Sequence, residues 1–241
     1  MKDVRVLDKS TRSLFLISDV HANAPALRAV LDEIPRDALI LCAGDIVGYY
    51  MNPNEVCVML RDRGVLCVQG NHDDYVVSGQ ALAPERDAKY MTSWTRAELS
   101  TENLQWLKSL PFEIDFRLPP AGEETQSGLL RLVHGSIFSM EDRIYPDTPL
   151  GQFTDETCDI IVGGHTHHPM ARHSGKTLFV NPGSVGQPRN WKPGAAYAVL
   201  DTLDTSVEFA RVPYDIAHYV SELVEAGFPT DMADVLMRQR S

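Results

Sequence analysis

The sequence predicts an α/β protein in which two sheets pack together with helices outside. Three observations carry this. Leu14-Phe15-Leu16-Ile17, Ala38-Leu39-Ile40-Leu41-Cys42 and Val65-Leu66-Cys67-Val68 are continuous rather than alternating apolar runs, the pattern of strands covered on both faces. Helical patterns separate these runs, so this part of the chain reads β-α-β-α-β, a parallel sheet with crossover helices. Strands dominate both halves of the chain while helices cluster between and after them, which two packed sheets accommodate.

Each element has its own warrant. Asn23 to Ile34 carries a capping Asn, a proline in the first turn, and Leu27, Val30, Leu31 and Ile34 at helical spacing. Asn52-Pro53 opens a second helix with Val56, Met59 and Leu60 on one face, ended by Gly64. Ala83 to Leu110 reads as helical, with Tyr90, Met91, Trp94, Ala97, Leu104, Trp106 and Leu107 assigned to buried faces and Pro111 as the stop. Phe112 to Leu118 and Leu129 to Val133 read as a hairpin whose solvated tip, Pro119 to Gly128, carries Glu123-Glu124. Strands are expected at Ile160-Ile161-Val162, Thr177 to Val180, Ala196 to Leu200 and Val207 to Val212. Two helices separated by Gly227-Phe228-Pro229 close the pattern. The chain is read as one domain over residues 1–241, with a helical insertion at about 75–110 and closing helices at about 215–240.

Composition excludes several classes. At 241 residues, with 44% hydrophobic and 23% charged side chains, the chain has no bias toward disorder, collagen or coiled coil. Acidic residues outnumber basic ones 33 to 22, and the net charge of -11 argues against tracking a nucleic-acid polymer or acting as a nuclease. Cys42, Cys57, Cys67 and Cys158 show no CxxC spacing and read as buried free thiols. The apolar run Leu14 to Ser18 is too short for a signal core or a membrane span, so a cytoplasmic location is expected.

The chemistry lies just beyond the end of each buried run. Asp19-Val20-His21, Gly44-Asp45 and Gly70-Asn71-His72-Asp73 stand directly after the first three strands, where open α/β folds place ligands. His134-Gly135 and Gly163-Gly164-His165-Thr166-His167-His168 stand after two later strands in the same way. Oxygen and imidazole donors without thiolates suit Mn²⁺, Fe²⁺, Co²⁺, Zn²⁺ or Mg²⁺. Asp19, His21, Asp45, Asn71, His134, His165 and His167 exceed the needs of one ion, so two ions are expected, with Asp45 as the bridge. Glycines at 44, 70, 135, 163 and 164 fit tight turns beside ligands.

These five blocks resemble the signature motifs of the calcineurin-like metallophosphoesterases, over residues 14 to about 200. The resemblance implies a four-layer α-β-β-α sandwich with two mixed sheets and a two-metal site at the sheet edge. It implies one ion on Asp19, His21, Asp45 and His167, a second on Asp45, Asn71, His134 and His165, and His72 as the catalytic histidine near the leaving group. Asn181-Pro182-Gly183-Ser184-Val185-Gly186-Gln187-Pro188-Arg189 resembles a small bacterial and archaeal phosphodiesterase-like branch. Protein phosphatases and symmetrical dinucleoside tetraphosphate hydrolases carry Asp-Arg after Gly-Asp and Arg before Gly-Asn-His; Gly48-Tyr49-Tyr50 and Gln69 stand here instead. The orienting partner of His72 is thereby unassigned, with Asp73 and Asp74 nearby.

The expected function is divalent-metal-dependent hydrolysis of a phosphodiester or phosphoanhydride in a small, nucleotide-like molecule through a bridging hydroxide, with manganese favoured. A phosphomonoesterase or protein phosphatase, and a non-catalytic metal-binding scaffold, are the alternatives. Arg189 is either a phosphate contact or a surface arginine of a Pro-rich turn, and Tyr49 and Tyr50 either wall the cleft or pack the loop. Tyr90, Trp94 and Trp106 are assigned to the core, His168 to support of the ligands, and His173 and His218 to no role.

Overall fold

The computed structural model describes residues 4–8, 10–120, 128–153, 155 and 157–238. In chain order the elements are β1 (Val4–Val6), β2 (Ser13–Ile17), α1 (Ala24–Glu33), β3 (Leu39–Cys42), α2 (Pro53–Asp62), β4 (Leu66–Cys67), α3 (Asn71–Ser78), α4 (Pro84–Tyr90), α5 (Thr92–Glu98) and α6 (Thr101–Ser109). They continue with β5 (Ile114–Arg117), β6 (Leu129–Leu132), β7 (Ile160–Val162), β8 (Met170–Ser174), β9 (Thr177–Asn181), β10 (Ala195–Asp201), β11 (Val207–Val212), α7 (Ile216–Glu225) and α8 (Thr230–Met237).

The strands form two mixed sheets. The first runs β11-β10-β2-β3-β4, with β2, β3 and β4 parallel through the crossovers α1 and α2, and β10 antiparallel to β2. The second runs β1-β5-β6-β7-β9-β8, with β6, β7 and β9 parallel and β5 antiparallel to β6. Their facing sides form one core: Leu14, Leu16 and Leu41 of the first sheet meet Leu130, Leu132, Ile160 and Val180 of the second. Alternate residues of the first sheet, Ile17, Ile40 and Cys42, point the other way into a second core with Leu27, Val30, Val56, Leu60 and Tyr219 of the helices. Continuous apolar runs are the consequence, because both faces of these strands are buried. The outer face of the second sheet is covered by Ile137, Ile144, Leu150 and Phe153 from the loops after β6, which complete the fourth layer.

Local chemistry sets the boundaries. The Asn23 side chain accepts the Ala26 N–H at 3.1 Å and starts α1 ahead of a proline, as its position in the sequence implies. The stretch expected as one helix over Ala83 to Leu110 is three. Met91 adopts φ 54°, and the Tyr90 carbonyl leaves the helical ladder to accept the Tyr49 N–H at 2.8 Å. Ser100 then caps α6 by accepting the Asn103 N–H. These breaks rotate the helical face, so Ala97 is exposed while Thr95 and Leu99 are buried. Two strands lie beyond those expected: β1, a short edge partner of β5, and β8, whose alternating Met170-Ala171-Arg172-His173-Ser174 returns to β9 through Gly175-Lys176. The acidic tip at Glu123-Glu124 lies outside the described residues. All four cysteines are buried and unpaired. Among the described residues no helix is long and apolar enough to cross a membrane.

Candidate metal centre

The parallel strands end at one edge of the sandwich, and the polar blocks turn into it from both sheets. Asp19 and His21 follow β2, Asp45 follows β3, Asn71 and His72 open α3, His134 follows β6, and His165 and His167 follow β7. The turns are tied to one another: Asp19 N–H donates to Gly44 O at 2.9 Å, His21 N–H to Asp45 O at 3.0 Å, and Gly164 N–H to His134 O at 2.6 Å. Asp19, His21, Asp45, His165 and His167 all lie in the left-handed region, at φ 53°, 50°, 55°, 65° and 62°. Such backbone costs about 1–3 kcal/mol per residue and persists where surroundings hold it. Two close approaches exclude side chains: a Cβ on Gly70 would overlap Asp45, and one on Gly164 would overlap Ser18 Oγ and stand 2.8 Å from Asp19 Oδ2.

The result is two donor groups, Asp19, His21 and His167 in one and Asp45, His134 and His165 in the other, with the donor atoms of each within 4.8 Å of one another. In the first, His21 Nε2 lies 3.1 Å from His167 Nε2, and His167 Nε2 lies 3.2 Å from Asp19 Oδ1. In the second, His134 Nε2 lies 3.2 Å from His165 Nδ1, 3.1 Å from Asn71 Oδ1 and 3.3 Å from Asp45 Oδ2. Asp45 Oδ2 is also 3.8 Å from His21 Nε2, so this oxygen stands between the groups. Its partner Oδ1 is occupied, accepting the His72 N–H at 2.9 Å.

Tautomers follow from the backbone. His21, His134 and His167 each place Nδ1 on a carbonyl, Val47 O at 3.3 Å, Ala43 O at 2.6 Å and Gln187 O at 2.5 Å. A carbonyl only accepts, so Nδ1 carries a proton in each, and the neutral rings of His21 and His167 present the Nε2 lone pair inward. Lone pairs of His21 and His167 crowded at 3.1 Å, and a buried Asp19 Oδ1 with no hydrogen-bond partner among the described residues, fit divalent cations. Burial holds His21 and His167 well below the ordinary imidazole range and pushes His165 down to about 3, leaving them neutral. For His134 burial acts downward but is outweighed by Asp45, which pushes the group up to about 10.

His72 stands beside the donors with a buried ring. Burial pushes its imidazole down to about 4. The ring is enclosed by Tyr90 at 4.6 Å, Tyr49 at 4.7 Å, His21 at 5.0 Å and Tyr75 at 5.7 Å between centroids. Asp73 does not orient it, because its carboxylate accepts the backbone N–H groups of Ile46, Val47 and Gly70 at 2.9, 3.0 and 3.0 Å. Packing against tyrosines holds the ring where a carboxylate was sought.

Above the donors opens a cleft of about 380 Å³. Tyr49 lines it, and Arg189 stands on its rim, donating to Gln187 Oε1 at 2.7 Å and Tyr49 Oη at 3.3 Å. Tyr50 is instead fully buried, with its hydroxyl donating to Met232 O at 3.1 Å. Tyr90, expected in the core, lines the cleft. Trp94 packs edge-on to Phe228, and Trp106 lies half-buried under Arg61. His168 bonds the Thr166 carbonyl and packs edge-on to Tyr145, while His218 pairs with Glu222 on the surface of α7. Sequence reasoning passed over Tyr75, Arg86, Lys89, Arg143 and Gln187. Gln187 carried the one available signal, its place in the Asn181–Arg189 block.

The chain is similar to known proteins over most of its length. Residues 13–205 match the model of the calcineurin-like phosphoesterase superfamily domain. The chain is 34% identical over 248 residues to the uncharacterised protein MJ0912 of Methanocaldococcus jannaschii, covering 93% of this chain and 97% of that one. It is 39% identical over 200 residues to the phosphodiesterase YfcE of Escherichia coli K12, covering 78% and 86%. A metallophosphoesterase crystal structure from Sphaerobacter thermophilus matches with TM-score 0.78 and 30% identity, covering 95% of this chain and 99% of that one. Two sandwiched sheets, paired acid–imidazole groups at their common edge and a family match across most of the length lead to one assignment: the chain belongs to the calcineurin-like metallophosphoesterases, divalent-metal-dependent hydrolases of phosphoric esters.

Proposed function

We propose that the chain is a phosphodiesterase for small, nucleotide-like molecules, using two divalent cations, manganese ahead of iron, zinc, cobalt and magnesium, in a cytoplasmic setting. Residues 1–241 act as one unit in this reading. The observation that carries it is the pair of donor groups meeting at Asp45 Oδ2. Asp19, His21, Asp45 and His167 would hold one cation, and Asp45, Asn71, His134 and His165 the other. When bound, the pair supplies positive charge to the phosphoryl oxygens and acidifies water for in-line attack.

The protein's own groups complete the reaction. His72 donates a proton to the departing oxygen or stabilises its charge through a ring N–H, and its backbone bond to Asp45 Oδ1 keeps the ring in register with the shared carboxylate. Tyr49 and Tyr90 keep water from the His72 ring and offer flat faces to a base. Arg189, held by Gln187 and Tyr49, meets a phosphoryl oxygen from the rim. Similarity to a phosphodiesterase supports diesters over monoesters. A cleft of about 380 Å³ in a chain of charge -11 suits a small molecule better than a nucleic-acid polymer.

The test is a Mn²⁺-supplemented screen of a bis-aryl phosphodiester, an aryl monoester, cyclic nucleotides and dinucleoside polyphosphates, with His72→Ala as control. Diester turnover that falls in the control is expected. Silence toward every substrate at full metal occupancy would overturn the reading and leave a metal-binding scaffold.

A further inference from the structure

The charges lining the cleft run against the composition of the chain. Acidic residues outnumber basic ones 33 to 22 overall, yet beyond Asp45 the lining holds Arg86, Lys89, Arg143, Arg189 and Arg238 against Glu141 and Asp231. Three of the five are engaged away from α4: Arg143 Nε lies 3.4 Å from His165 Nε2, Arg189 bonds Tyr49, and Arg238 lies 5.8 Å from the Trp191 ring centroid. Arg86 and Lys89 stand apart from these. They are three residues apart on α4, hence neighbours on one helical face. Among the described residues neither has a carboxylate within 4.0 Å.

Arg86 is nevertheless held in place. Its guanidinium lies 5.4 Å from the Tyr75 ring centroid and 5.5 Å from that of Tyr90, and it donates to the Tyr75 hydroxyl at 3.1 Å. The Tyr75 hydroxyl in turn donates to Glu141, which fixes that ring. The two rings are parallel to within 5°, with centroids 6.3 Å apart. Tyr90 also packs 4.6 Å from His72, so one aromatic ring separates His72 from Arg86. An arginine held by two rings with a lysine beside it, neither in direct contact with a carboxylate among the described residues and both opening on a phosphoester cleft, is pre-organised for an anion.

We propose that Arg86 and Lys89 form a second anion subsite that binds a further phosphate group, carried on the leaving-group portion of a small phosphodiester substrate. The assignment to the leaving group rests on the diesterase reading above, in which His72 faces the departing oxygen. The subsite selects substrates with two separated phosphates over those with one.

Adenosine 3′,5′-bisphosphate and adenosine 5′-monophosphate differ by one phosphate and serve as probes. Equilibrium binding to the Mn²⁺-supplemented protein is measured at about 0.15 M salt, where long-range attraction is screened. The bisphosphate should bind ~tenfold more tightly or better. In Arg86→Gln/Lys89→Gln the preference should fall to about twofold or less, and in Arg86→Lys/Lys89→Arg it should return. Equal affinities in the native chain, or a preference that survives in the Gln variant, overturn the proposal. Binding is read separately from turnover. A preference without diester hydrolysis removes the diesterase reading and keeps the subsite, whereas hydrolysis without a preference does the reverse.

Discussion

Asp45→Asn separates the fold from the metal centre. Asp45 Oδ1 accepts the His72 N–H at 2.9 Å, and an Asn oxygen at the same place keeps that bond. The amide nitrogen then replaces Oδ2, 3.3 Å from His134 Nε2 and 3.8 Å from His21 Nε2. Where a shared negative oxygen stood, a hydrogen-bond donor now faces lone pairs, so the metal-free chain keeps its packing while both groups lose their common charge. A unit charge pair at about 4 Å is worth about 4 kcal/mol at an effective dielectric of about 20. A dication beside the lost carboxylate therefore forfeits at least that much, and each ion should bind ~10³-fold more weakly. Mn²⁺ content after equilibrium dialysis reads the loss, and thermal melting with and without Mn²⁺ reads its coupling to stability. The native chain should melt higher with Mn²⁺, and the variant should not respond. Two equivalents of Mn²⁺ retained in the variant, with affinities within about tenfold of native, would refute the bridging geometry.

His72→Ala should keep the metal content and lower kcat by about 10²–10⁴, measured on a bis-aryl phosphodiester; unchanged turnover would remove His72 from the reaction. Gly164→Ala drives a Cβ into Ser18 Oγ and toward Asp19 Oδ2, so calorimetry should show about 1–3 kcal/mol less stability together with weaker metal binding. Asp73→Asn turns an amide N–H toward the Gly70 N–H and should cost about 1–3 kcal/mol in urea unfolding, with native-like stability the contrary result. Mn²⁺ at about 100 times its Kd should add about 2.7 kcal/mol per site to unfolding, and chelation should remove it; a Tm indifferent to both speaks against a resident metal.

The legible parts of this chain are those where side-chain chemistry and local pattern coincide. Leu14–Ile17 and Ala38–Cys42 announce doubly covered strands, and the acids and histidines after them point to the edge where those strands end. The hairpin strand β8 is hard to read because only Met170 among its five residues is buried, which leaves little apolar signal. The break at Met91 is hidden because a methionine favours the helix interior. What ends α4 is a distant N–H, that of Tyr49, taking the Tyr90 carbonyl. Similarly, the groups that set the imidazole tautomers are the carbonyls of Ala43, Val47 and Gln187, and a carbonyl is carried by every residue type. Asp73, adjacent to His72 in sequence, points to backbone amides, and its neighbour's ring rests on tyrosines from three separate segments.

Interlocked turns have a further consequence for how such a protein lives with its surroundings. Imidazole–carboxylate sets accept several first-row ions in an order fixed by the metals themselves. Asp19, His21 and His134 are seated by bonds to Gly44, Asp45 and Ala43, so each turn is positioned by its neighbour. A substitution in any one of these turns is therefore felt at both donor groups.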